Sequence, residues 1–285
     1  MTEPAIIAEL PGHLRIAIPM NPEIPGIIAG FLYLVSAGTQ FTSLGREISN
    51  AQLIVKLSAT IAVLCHGTTV YMDLYGASGI NLGLYPMLSL MAVSISGIVL
   101  ASSFRRPQEN LFIVIFPLAT ATLVLELSIE GSYSPRADIT SGMLAHIVLS
   151  VIAYSLLTIA ALEAALLSFG DYELKHPKLS ILKRLPPLQT MEALLFEMLW
   201  VGLIFLSLSI ASGFAFLTDI QDQRLIHHTI ITLAAWMVFA VLLWGRYQLG
   251  WRGAIASRWA LSGFALLVVG YFGSKLVLEV ILVGA

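Results

Sequence analysis

The chain has 285 residues, 58% hydrophobic and 11% charged, with a net charge of −2 at pH 7 and a mean hydropathy of +0.87. Soluble domains carry roughly 25% charged residues, so the composition excludes a water-soluble fold and describes a polytopic membrane protein embedded in a lipid bilayer. No basic stripe is present of the kind nucleic-acid binding needs; a single cysteine, Cys65, excludes an intrachain disulfide, a CxxC redox pair and the CxxCH haem-attachment motif.

Residues 1–23 read as an outer N-terminal segment. Prolines break it, it holds three glutamates, and it lacks the apolar core of a cleavable signal. Residues 24–285 read as one all-α domain of eight transmembrane helices, each near the ~20 residues a helix needs to cross a bilayer. The spans are Ile24–Leu44, Ala51–Tyr71, Leu82–Ser103, Leu111–Ile129, Ser141–Leu167, Met191–Leu217, His227–Arg246 and Trp259–Leu282. The links are short except Ser168–Thr190, which carries Lys175, Lys178, Lys183, Arg184 and the Pro186-Pro187 break.

Basic residues set the expected orientation. The links after spans 1, 3, 5 and 7 carry ten of them: Arg46; Arg105 and Arg106; the four of the long link; and Arg246, Arg252 and Arg258. The opposite side carries Arg15, Arg136 and Arg224. Positive-inside then places both termini outside, on the periplasmic side of a bacterial inner membrane.

In that orientation span 2 brings His66 to five residues before its outer end, and span 5 brings His146 to five residues after its outer start. At ~1.5 Å per residue both imidazoles lie roughly 8 Å below the outer surface. Behind His66, Ala59, Ala62 and Val63 make a small face that a flat ring can approach. On span 5, His146, Ser150 and Tyr154 follow at four-residue steps and share one face of an otherwise apolar helix. Such a stripe turns toward protein or a bound group. Two imidazoles at one depth on different helices are what a b-type haem requires of its axial ligands; the alternative is that each hydrogen-bonds a neighbouring helix. His227 and His228 open span 7, where solvated capping is the simpler role. His13 and His176 lie outside the spans.

The intramembrane charges have paired readings. Lys275 can meet Glu279 four residues on, Glu126 of span 4, or an anionic group such as a haem propionate. Arg136 and Arg224 are further propionate candidates, with solvation as the default. Lys56 can snorkel to the inner surface. Glu163 and Glu197 suit helix-packing hydrogen bonds, or a proton or cation. Gly263, Gly270 and Ser274 form a small-residue ridge on span 8 that suits close helix packing. Trp236, Trp244, Tyr247 and Trp251 cluster along span 7, some of them as interfacial anchors. No Ser/His/Asp set, phosphate loop or paired-carboxylate site is present.

Three segments carry a resemblance: MLAHIVLSVIAYSLLTIAALEAALL in span 5, LLWGRYQLGWRG after span 7, and YFGSKLVLEV in span 8. They resemble the cytochrome c assembly (CcsA/CcmC) superfamily of haem-handling membrane proteins. DYELKH, LPPLQTME and AWMVFAVLLWGRYQLGWRG are similar to its short YpjD/HemX-like branch. The match is specific over Ser141–Val280 and looser before it. The resemblance implies haem binding and a role in cytochrome c maturation. His146 matches the family's outer-side haem ligand, and His66 a CHA-like position of the short branch.

Three departures accompany it. The WGxxWxWD segment expected between spans 6 and 7 is replaced by FLTDIQDQRLIHHTI. The histidine expected after the last span is absent from VILVGA, and the inner-side histidine near the end of span 7 is replaced around Arg246–Gln248. Haem lyase activity is therefore not assigned.

The expected function is that of a haem-binding membrane protein, not an enzyme. It would hold, relay or sense haem b through His66 and His146, with His227, His228, Arg136, Arg224 and Lys275 as further contacts. Its partners would be proteins of cytochrome assembly or haem synthesis. The alternatives are an electron carrier exchanging with a membrane quinol, a haem-free scaffold or regulator of tetrapyrrole synthesis, and an accessory to divalent-cation transport using Glu126, Glu163 or Glu197.

Overall fold

Hydrocarbon offers no hydrogen bonds to the backbone, so long apolar runs close their amides within helices. The computed structural model describes residues 5–9, 15–19, 21–45, 48–76, 79–106, 108–129, 139–175, 187–216 and 223–273. It contains α1 (Glu23–Ser43), α2 (Ala51–Leu74), α3 (Leu84–Ser103), α4 (Phe112–Ser128, entered through a 3-10 turn at Glu109–Leu111), α5 (Ser141–Lys175), α6 (Leu188–Phe216), α7 (Gln223–Gln248) and α8 (Gly253–Val268). A π-helical turn, Val269–Gly273, continues α8. Among the described residues, eight segments are long and apolar enough to cross a membrane, α4 together with its 3-10 turn and α8 together with part of its π turn. Two short antiparallel ribbons accompany them. One pairs β1 (Ala5–Glu9) with β2 (Arg15–Pro19), and the other pairs β3 (Tyr75–Gly76) with β4 (Gly79–Ile80) between α2 and α3.

Most boundaries among the described residues shift slightly from the sequence expectation, and those of α5, α7 and α8 shift most. Helix α5 runs through Ser168–Lys175, where a link was expected, and reaches 35 residues. At ~1.5 Å per residue that is roughly 52 Å, longer than the ~30 Å hydrocarbon core. Helix α7 begins at Gln223, so His228 lies inside the helix and does not cap it. Helix α8 begins at Gly253, ahead of the expected Trp259. The turn before it uses Gly250 and Gly253 at φ of +66° and +53°, a region glycine enters without steric cost.

The helices build two cores. In the first, α1 to α4 bury Tyr33, Phe112 and Phe116, whose rings follow one another at centroid distances of 4.8 and 4.4 Å. In the second, α5 to α8 bury Leu157, Leu195, Leu199, Phe239 and Leu242. The small residues have the packing role expected of them. A Cβ on Gly202 would meet Leu157 at 2.8 Å, and one on Gly263 would meet Phe239 at 2.7 Å. Gly270 faces Ile231; Ser274 lies outside the described residues. Helix α3 joins the halves by packing on α2, α4 and α5.

Ion pairs gather where α6 and α7 approach the α7–α8 turn. Glu192 accepts from Arg246 at 2.6 Å and Arg252 at 3.3 Å. Arg246 also lies 4.4 Å from the centre of the Phe196 ring, and Trp251 stacks on Trp259 at 5.3 Å. The GRYQLGWRG segment is thus a locked turn. Glu197 pairs with Arg106. Lys56 pairs with Glu109 at 3.1 Å and donates to the Ser103 carbonyl.

Candidate functional site

The polar stripe of α5 faces inward. His146, Ser150 and Tyr154 line a partly open cavity of about 180 Å³, walled also by Met87 and Met91 of α3, Leu206 and Ser209 of α6, His228 and Thr232 of α7, and Tyr271 of the π turn. The walls are mostly apolar, with a few convergent polar groups. That is the usual character of a small-molecule site.

The seam between α5 and α6 orients His146. Its Nδ1 lies 2.9 Å from the Ser209 carbonyl oxygen and 3.1 Å from Ser212 Oγ. A carbonyl only accepts, so Nδ1 carries the proton and Nε2 presents its lone pair. This is the arrangement that fixes ligating histidines in metal sites. Ser150 Oγ donates to the His146 carbonyl at 2.7 Å and lies 2.6 Å from Ser209 Oγ, so a serine set holds the helix around the imidazole.

His228 Nε2 is buried with no hydrogen-bond partner among the described residues, and Tyr154 Oη and Thr232 Oγ1 are buried close to one another across the cavity. The ring of Tyr271 lies edge-on to His228 at 6.0 Å and 5.6 Å from Tyr154. A π turn of this kind is frequent at functional sites. Here it brings Tyr271 between the two.

His66 is elsewhere. It is fully buried in the first core, with Nδ1 3.2 Å from Tyr33 Oη and Nε2 2.8 Å from Ser89 Oγ. It does not line the His146 cavity. The small face of Ala59 and Ala62 is filled by α1, including Ala29 and Tyr33, and no ring can approach there. The structure therefore does not bring His66 and His146 together as an axial pair. Helices α2 and α5 pack chiefly on other neighbours, with α3 common to both.

The remaining expectations divide. His227 and Arg224 lie on α7, but their side chains are outside the described residues, as are Arg136, Lys275 and Glu279 altogether. Glu163 is buried in α5. The carboxylate oxygens of Glu126 are buried beside the carboxylate of Asp73 in α2 and the hydroxyl of Ser89 in α3, although no close hydrogen bond forms to either oxygen among the described residues. No group of three or more His, Cys, Asp or Glu able to hold a metal ion forms among those residues. Ser209, Thr232 and Tyr271 were not anticipated. The serines Ser207, Ser209 and Ser212, in the otherwise apolar later part of α6, were the available signal.

The family model of the cytochrome C assembly protein matches residues 27–282. The inner membrane protein YpjD of Escherichia coli (strain K12) is 31% identical over 257 residues, which are 90% of this chain and 98% of that protein. An uncharacterized 28.8 kDa protein of Azospirillum brasilense is 33% identical over 140 residues, 48% of this chain and 52% of its own. The protein HemX of Brevibacillus brevis is 22% identical over 169 residues, 56% of this chain and 62% of its own. No solved structure gives a significant match.

Proposed function

The chain belongs to the cytochrome c assembly protein family, and on that premise we propose that it binds haem b in the α5–α7 cavity and holds or relays it during cytochrome assembly or a related haem pathway. One observation carries the reading: His146 Nδ1 is tied to the Ser209 carbonyl, so its Nε2 offers a lone pair into an apolar cavity.

The residues present fit the group. Haem needs a neutral, oriented imidazole and apolar walls, and His146 and its neighbours supply both. The partly open cavity of about 180 Å³ is smaller than the ~300–1,000 Å³ of typical ligand sites, so a bound haem would extend through its open side. Bound haem supplies a redox-active iron. The chain itself orients His146 through Ser209 and Ser212 and excludes water with Met87, Met91 and Leu206. The protein acts by binding and transfer and not as an enzyme; the missing WGxxWxWD segment supports this.

Positive-inside charge asymmetry supports an orientation with both termini outside, and similarity to the inner membrane protein YpjD supports the bacterial inner membrane. Partners are proposed to be proteins of cytochrome assembly or haem synthesis. A second reading, an accessory to divalent-cation transport, draws on the buried carboxylate of Glu126, which lies beside Asp73. It lacks a described cluster of ligands, so the cavity reading is preferred.

The test is titration of haemin into the detergent-purified protein. Saturation near one haem per chain is expected for the wild type, and loss of saturable binding for His146→Ala. Full occupancy in a folded His146→Ala variant would sink the assignment.

A further inference from the structure

We propose that the first four helices hold a proton path across the membrane, running from the carboxylates of Asp73 and Glu126 through Ser89, His66 and Tyr33 to the Lys56–Glu109 pair at the opposite end. None of these residues lines the α5–α7 cavity, so the inference does not rest on the haem reading.

Helix α2 sets the two ends. Lys56 lies near its start and Asp73 near its finish. At ~1.5 Å per residue its 24 residues span about 36 Å. Glu126, close to the end of α4, brings its carboxylate beside Asp73 and Ser89. From there the contacts are short. Ser89 Oγ lies 2.8 Å from His66 Nε2, and His66 Nδ1 lies 3.2 Å from Tyr33 Oη. All three side chains are fully buried.

Hydroxyls continue the line toward the other end. Ser89, Ser96 and Ser103 recur at seven-residue steps on α3 and are all buried, so they follow one face of that helix. Ser36 stands one turn beyond Tyr33 on α1. It and Ser58 both donate to the Val55 carbonyl, at 3.0 and 3.2 Å. Lys56 Nζ donates to the Ser103 carbonyl at 3.1 Å and pairs with Glu109 at 3.1 Å. Glu109 in turn borders an open polar cavity of about 650 Å³ with Gln40, Ser43 and Gln52, which gives the path a wide mouth on that side.

Imidazole suits the central position because it takes a proton at one nitrogen while releasing another from the second. The carboxyl proton of Glu126 passes to Ser89 Oγ as the Ser89 proton moves to His66 Nε2. The Nδ1 proton leaves to Tyr33 Oη, whose own proton moves on to Ser96. One proton enters the ring and one leaves, so no charge accumulates and no redox partner is needed. Rotation of the hydroxyls and of the ring resets the chain. The titratable and charged groups around His66 are Tyr33 of α1, Lys56, Cys65 and Asp73 of α2, Glu126 of α4 and Glu109 of its 3-10 turn; α3 contributes hydroxyls. A crosslink between helices accounts for one histidine with two partners. It does not account for a row of buried polar side chains continuing from one end of α2 to the other, which is costly in a bilayer and marks ion or proton pathways.

The experiment uses full-length protein without added haem, reconstituted into phosphatidylethanolamine–phosphatidylglycerol liposomes that enclose the pH dye pyranine. A potassium diffusion potential set with valinomycin drives the protons. The wild type is expected to change the internal pH several-fold faster than protein-free liposomes, and more slowly in deuterium oxide. Tyr33→Phe, which keeps the ring and removes the hydroxyl, is expected to fall to the protein-free rate. Glu126→Gln is expected to do the same, so a folding defect in one variant does not decide the matter. Thr68→Ala, which removes an exposed hydroxyl from α2 outside the line, is expected to keep the wild-type rate. Folding is checked by size-exclusion elution and thermal unfolding. A wild type no faster than protein-free liposomes overturns the proposal. So does a wild-type rate in folded Tyr33→Phe or folded Glu126→Gln. Haem binding, read separately by titration, stands or falls independently of either result.

Discussion

Tyr33 and His66 hold each other in the first core. The tyrosine hydroxyl lies 3.2 Å from Nδ1, and the rings meet edge-on with centroids 5.7 Å apart. Ser89 Oγ takes the other ring nitrogen at 2.8 Å, so one imidazole links α1, α2 and α3. A histidine with both nitrogens bonded to protein, in a fully buried position, is a structural crosslink.

His66→Ala is therefore expected to destabilise the bundle without removing the haem site. Tyr33 Oη and Ser89 Oγ would each lose a buried partner, at about 1–3 kcal/mol apiece, with a further loss from the space vacated. Thermal unfolding in detergent should fall clearly. The folded fraction should bind haem as the wild type does. Loss of haem at unchanged stability would restore His66 to the ligand set.

The locked turn between α7 and α8 makes its own demand. Glu192 neutralises Arg246 and Arg252 together, and its Oε2 lies 3.4 Å from the backbone nitrogen of Gly253. Glu192→Ala leaves two cations facing one another over a partly buried site, and a loss of about 1–3 kcal/mol is expected, below the range for a fully buried pair. Glu192→Gln should recover part of it. Limited proteolysis at the α7–α8 turn is the readout; equal cleavage of wild type and variant would contradict the clamp.

The seam between α5 and α6 positions His146, so its closeness matters. Gly202→Ala would place a Cβ 2.8 Å from Leu157, and overpacking of this kind costs about 1–3 kcal/mol. Separation of α5 from α6 would also loosen the His146–Ser209 contact. Haem affinity is expected to fall together with stability in this variant. For His66→Ala only stability should change.

The eight helices were legible because membrane spans announce themselves locally, as apolar runs of bilayer length. The His146–Ser150–Tyr154 stripe was legible for the same reason: four-residue spacing fixes a face whatever the tertiary structure. Pairing His66 with His146 failed because depth is a single coordinate. Two residues at one level can stand on opposite sides of a bundle, and the lateral order of helices is not written in any one span. His228 was read as a cap because Arg224 and the preceding polar residues resembled a link. With α7 starting at Gln223, the residue sits in the second turn and reaches the cavity. Tyr271 escaped notice because its placement depends on the π turn at Val269–Gly273, which no local pattern specifies.

The most direct measurement is the absorption spectrum of the protein purified from membranes, oxidised and then reduced with dithionite, with haemin added if none co-purifies. A sharp Soret band with a well-resolved α-band on reduction is the expected result, since His146 offers its Nε2 to the α5–α7 cavity. A protein that stays colourless after reconstitution, while folded and monodisperse, would contradict haem binding in the α5–α7 cavity.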